Sequence, residues 1–323
     1  MSLLLDDAHA SADTLPASSA ARRLRATMAA VRLSFVWFGV RKSLTSEQKA
    51  QAADAFGAEG GFLSAGKKLL DTRHPAFKAV TSVRSQLLGL WRSLSLPYPE
   101  PGLRLIRQDD IELFNERAQT LRAELNDAVE RLDEHFGELK AAARERLGQL
   151  FNPVDYPDSL LGLFKVEWDF PSVEPPEYLR ELSPALFAEE QRRAAARFDE
   201  AVRLAEEAFT SELSQLVAHL AERLCGAEDG KPKIFRDSAI LNLQEFFARF
   251  QQFGVRSNAE LDALVESAQR IVRGVEPQQL REKSDLRRDI ATNLAGVQAA
   301  LDGLMIDRPR RRIIRSGIQS EAS

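Results

Sequence analysis

The chain has 323 residues, enough for one large or two medium domains with an ample core. Hydrophobic residues make up 44% and charged residues 28%, the balance of a folded soluble protein, and a net charge of −4 argues against a surface given over wholly to nucleic acid or membrane. A single cysteine, Cys225, excludes an intrachain disulfide framework and a Cys-based zinc site.

The first residues, "MSLLLDDAHASADTLPASSAARR", stop being apolar after Leu5 and turn acidic, which does not read as a signal peptide. No apolar run in the chain is long enough to span a bilayer. Residues 1–22 read as a disordered arm, and cytoplasm is the expected location. "VRLSFVWFGVRK" (31–42) is the best strand, with Leu33, Phe35 and Trp37 on one face. A helix over 46–56 follows, capped by Thr45 or Ser46, and Pro75 opens another that runs to about Ser93. A Pro-rich connection ends in a short extended piece at 103–106.

Between these lies "GGFLSAGKKLL", where Gly61, Gly66 and Lys67 have the spacing of a phosphate-binding P-loop. The reading favours a decoy. The last position is Lys68, which cannot ligate a cation where Ser or Thr should. An Ala-rich helical stretch stands where a buried strand should precede the loop. The bland alternative is a glycine turn held by Leu63, Leu69 and Leu70.

Two long helices are expected next, over 109–150 and 184–224. The first carries Leu121, Leu125, Ala128, Leu132, Phe136, Leu139, Ala143, Leu147 and Leu150 at steps of four and three. The second repeats the pattern with Ala194, Phe198, Val202, Ala205, Phe209, Leu213, Leu216, Leu220 and Leu224. Both stripes have an eleven-residue period, about 3.67 residues per turn. Matched period and length predict an antiparallel, coiled-coil-like hairpin, each arm about 60 Å long. The connection contains "LFKVEWDF", an alternating strand candidate expected to pair with 31–40 and with 103–106 in a small antiparallel sheet. After a break at "DGKPKIF", helices are expected over 237–253, 257–273 and 277–304. The fold class is therefore mostly α, with the hairpin, a small β element and a C-terminal helical bundle. The segments are the arm (1–22), an N-terminal α/β segment (23–107), the hairpin with its inserted strand (108–228), a helical region (229–307) and a basic tail (308–323).

Chemistry-bearing residues are sparse. His9, His74, His135 and His219 show no metal-ligand spacing, and the pairs Asp109-Asp110, Glu189-Glu190 and Glu206-Glu207 diverge on a helix surface. No nucleophile motif stands out, so no catalytic residue, metal or cofactor is expected. The strongest charge signal is the tail cluster Arg308, Arg310, Arg311, Arg312 and Arg315. Such a cluster suits phosphates or an acidic partner face, and the tail lacks interleaved aromatics for base stacking.

Val40-Arg41-Lys42 running to Leu44, followed by Leu63-Ser64-Ala65-Gly66-Lys67-Lys68-Leu69-Leu70-Asp71, resembles an uncharacterised bacterial and phage family, domain-of-unknown-function family thirty-one fifty, over about residues 30–225. The Ser-Ala-Gly order and the helical last third depart from its pattern. The resemblance implies no chemistry. It implies partner genes that include a MoxR-like AAA+ ATPase and a von Willebrand-type protein. The expected function is a non-enzymatic scaffold or adaptor, with homo-oligomers open. A nucleic-acid-associated protein using the Arg cluster is the alternative, and an NTP-binding protein through Gly61, Gly66 and Lys67 the third.

Overall fold

The computed structural model describes residues 18–225 and 238–306. In chain order the elements are α1 (Ser19–Thr27), β1 (Met28–Val36), β2 (Arg41–Ser43), α2 (Ser46–Asp54), β3 (Gly66–Lys68), α3 (Pro75–Ser93), β4 (Ser95–Pro97), β5 (Leu103–Arg107), α4 (Ile111–Glu134), α5 (Phe136–Leu147), β6 (Lys165–Asp169), α6 (Tyr178–Leu182), α7 (Pro184–Cys225), α8 (Ser238–Phe253), α9 (Ala259–Val272), α10 (Pro277–Glu282) and α11 (Ser284–Ile306). Most described residues are helical. They divide into two compact units, one drawn from 27–96 and 100–173, the other from 18–26, 97–99, 174–225 and 238–306.

The first of these units is built on a four-stranded sheet of order β4-β5-β1-β6. β1 pairs antiparallel with β5 from Met28 opposite Arg107 to Arg32 opposite Leu103, and with β6 from Arg32 opposite Asp169 to Val36 opposite Lys165. The expected pairing of β6 with β1 is observed, whereas its expected pairing with 103–106 is not, because β1 lies between β5 and β6. Alternation sets the faces of β1: Val31 and Leu33 face inward, whereas Arg32 and Ser34 stay exposed. Two ionic groups reinforce the β1–β6 edge, where Arg32 pairs with Asp169. The core of the unit collects Val31, Leu33, Leu69, Leu70, Val80 and Leu87 with Leu125, Leu132 and Phe136. α4 packs on α3.

The predicted helix 109–150 is broken. α4 stops at Glu134, His135 links it to α5, and Gly148 adopts a positive φ of 50° at the end of α5. Gly137, a poor helix former, sits just past the break. Most of the stripe is buried: Leu125, Ala128, Leu132, Phe136, Leu139 and Ala143 are buried, whereas Leu121, Leu147 and Leu150 are only partly so. Within its own unit α4 takes α3 as its main partner, where the periodicity pairs 109–150 with 184–224.

In the other unit, the 42-residue α7 packs chiefly on α11, with α8 also against it. Its eleven-residue stripe is buried from Ala194 through Phe198, Ala205, Phe209, Leu213, Leu220 and Leu224. Phe209 meets Phe246, Phe250 and Phe253 of α8 edge-on or tilted, at ring-centroid distances of 6.0, 5.1 and 6.2 Å. Asn258 caps α9 by accepting from the Glu260 and Leu261 amides, as its position before the helix suggests. The expected helix 277–304 is two helices, α10 and α11, with Lys283 between them. The break "DGKPKIF" (229–235), the basic tail and most of the N-terminal arm lie outside the described residues.

Candidate binding cleft

The P-loop-like stretch folds as something other than a phosphate cradle. Gly60–Phe62 form one 3-10 turn, and Gly66–Lys68 form β3. The Phe62 and Leu63 amides, which a P-loop would aim at phosphate, donate instead to the Glu59 and Gly60 carbonyls. β3 pairs antiparallel with β2, and Leu44 N–H to the Ala65 carbonyl extends the ribbon. The ribbon explains Gly66: a Cβ there would lie 3.1 Å from the Lys42 carbonyl oxygen. Gly60 has a similar reason, because a Cβ would stand 2.9 Å from the Ala50 Cα in α2. At Gly61 an added Cβ would meet open space. Close backbone approach thus accounts for Gly66 and for Gly60, which lies outside the P-loop spacing, and not for Gly61.

The register places Lys42 directly opposite Lys67, a like-charge pair that repels across a ribbon. Asp155 resolves the repulsion. Its Oδ1 takes the Lys42 ammonium at 2.5 Å and its Oδ2 takes that of Lys67 at 2.6 Å. Lys67 also donates to the Leu150 carbonyl at 2.6 Å. The Lys67 side chain is only 6% exposed and that of Asp155 only 2%. Burial pushes the Asp155 carboxyl up, but the bonds from Lys42 and Lys67 outweigh it and hold the group below its ordinary value. Lys67 thereby fastens the ribbon to the 148–150 turn that follows α5 and to the 153–155 turn.

Directly after the ribbon, residues 68–73 and one face of α5 enclose a half-open cleft of about 460 Å³. Leu139, Ala143 and Leu147, one turn apart along α5, line its apolar side. Leu69 and Leu70 complete that side. Lys68, Asp71, Arg73 and Arg146 supply the polar groups. Asp71 is the pivot. One carboxylate oxygen accepts from the Arg73 backbone amide at 3.0 Å, and the other accepts from Arg146 Nη1 at 2.8 Å. The amide bond first, and the Arg146 bond next, bring its carboxyl down to about 2, so it is ionised throughout the neutral range. His74 follows, its Nδ1 accepting from the Ala76 amide at 3.3 Å to cap α3, its ring 5.1 Å from that of His135. The Tyr156 hydroxyl donates to the Leu69 carbonyl behind the cleft wall.

Of the residues singled out in the sequence, Gly61, Gly66 and Lys67 lie on or beside the ribbon, and Lys67 points into the ion pair. Arg308, Arg310, Arg311, Arg312 and Arg315 lie outside the described residues, as does His9. Asp71, Arg146 and Asp155 were missed as site residues. "DTRHP" held one signal, an Asp two residues before Arg73 and a Pro opening a helix. Arg146 had none, standing 75 positions from its partner. Among the described residues, no group of three His, Cys, Asp or Glu could hold a metal ion, and no helix is long and apolar enough to cross a membrane. No protein-family model, curated protein or solved structure matches the chain.

Proposed function

We propose that this chain is a non-enzymatic helical scaffold that works through protein–protein contacts. The observation that carries the reading is the exposure of Phe56 and Phe62, at 85% and 90%. Both rings lie within the segment between α2 and β3, in the unit that holds the cleft. A phenyl ring left in water adds nothing to folding, whereas burying it against a partner is worth about 1.5–3 kcal/mol. Two such rings within seven residues suit a partner-facing patch. The placement of Lys67 supports the same reading. Its ammonium is committed to Asp155 and the Leu150 carbonyl, and stripping it from both to reach a phosphate would leave a buried carboxylate short of a partner.

A photo-crosslinking residue at position 62 tests the proposal in cells of the native host. The expected result is a discrete adduct with one partner, lost in Phe56→Ser and unaffected by a crosslinker at exposed Gln86. A ladder of unrelated adducts, or none, would count against the scaffold reading. The family resemblance over about 30–225 makes a MoxR-like AAA+ ATPase the first purified partner to try in that assay.

A further inference from the structure

The geometry points to the Asp71–Arg146 cleft as a binding site for a small carboxylate carrying an aliphatic or aromatic body. This goes beyond the scaffold proposal and does not rest on it. The cleft lining has two chemical kinds. Leu139, Ala143 and Leu147 form an apolar strip at one-turn spacing along α5, suited to a hydrocarbon body. Lys68, Arg73 and Arg146 bring three cations to the same lining, against the single acid Asp71. A volume of about 460 Å³ lies within the ordinary range of small-molecule clefts.

Asp71 decides which anion fits. Its ionised carboxylate holds Arg146 over the cleft through one nitrogen, and the planar guanidinium keeps further N–H donors for a second carboxylate. Inorganic phosphate has no hydrocarbon body to lay on the apolar strip, so a carboxylate that carries one suits the site better. The Lys68 side chain is exposed and has no ion-pair partner within 4 Å among the described residues, which leaves it free to move onto the ligand. Arg73 at the rim adds a second guanidinium. The exposed position of all three cations means that desolvation on binding is modest, and the apolar strip supplies the part of the affinity that charge alone cannot.

Isothermal titration of the full chain with octanoate, octanol and inorganic phosphate tests the inference. Methyl NMR of Leu139, Ala143 and Leu147 reports the place of binding. Octanoate should bind and shift those methyls, and octanol and phosphate should bind at least about tenfold more weakly. Arg146→Gln should weaken octanoate by about tenfold while leaving octanol unchanged, because one charge-assisted hydrogen bond is lost. Leu147→Trp should fill the cleft and remove binding. Lys68→Gln, at an exposed position, repeats the charge comparison should Arg146→Gln fail to fold. Equal binding of octanoate and octanol, methyl shifts confined to other residues, no binding at millimolar octanoate, or parent-like binding in the charge variants would each overturn the assignment.

Discussion

Replacing Lys67 with Met removes an ammonium from a buried ion pair. The Lys67 side chain is 6% exposed and the Asp155 side chain 2%, so the carboxylate left behind cannot turn to bulk water. The Leu150 carbonyl loses its donor as well. Removing one partner of a buried ion pair costs about 3–5 kcal/mol. Lys42, 55% exposed, still reaches the other Asp155 oxygen and keeps part of the compensation. The expected loss is therefore about 3 kcal/mol, at the lower end of that range. All three tryptophans, Trp37, Trp91 and Trp168, lie in this unit, so their fluorescence follows its unfolding alone. With a slope of about 2 kcal/mol per molar urea, the midpoint should fall by about 1.5 M. Lys67→Met combined with Asp155→Asn should recover part of the loss, because an uncharged pair leaves no stranded carboxylate. A single variant that unfolds with the parent would refute the reasoning.

Two further outcomes follow from the same unit. Leu132→Asp places a charge at a position with no solvent exposure in the α3–α4 core, and should cost several kcal/mol or prevent folding, read by the same fluorescence midpoint. Acid should also destabilise: the carboxyls of Asp71, Asp155 and Asp169 are all held below their ordinary 3.8, Asp71 at about 2. Their contribution is complete above about pH 5 and is lost progressively as the pH falls through about 2, so the urea midpoint should drop across that window and drop less in Asp71→Asn. A midpoint that holds steady or rises there would contradict the ion-pair geometry.

The sequence showed which faces are buried more clearly than what covers them. The eleven-residue stripes of 109–150 and 184–224 predict burial at Leu132, Phe136, Phe198 and Leu213, and all four are buried. Periodicity fixes a face relative to its own axis and carries no label for the partner. Two stripes of equal period looked made for each other, yet α4 lies on α3 and α7 on α11. α3 escaped notice as a partner because its apolar residues, Phe77, Val80, Val83 and Leu87, form an ordinary short stripe. The sheet was easier. Alternation in 31–36 and 165–169, with a Pro stop after the second, leaves few pairings for three short strands. The cleft was hidden for the opposite reason. Asp71 with Arg146, and Lys67 with Asp155, are joined only by the folded backbone, and a charge at long sequence separation has no periodic signature.

The most direct test of the central claim, that Lys67 belongs to the fold and not to a phosphate, is calorimetric titration of the full chain with ATP and Mg²⁺. The account predicts no binding heat up to millimolar nucleotide, in the parent and in Lys67→Ala alike. Micromolar binding by the parent that disappears in a folded Lys67→Ala variant would contradict it.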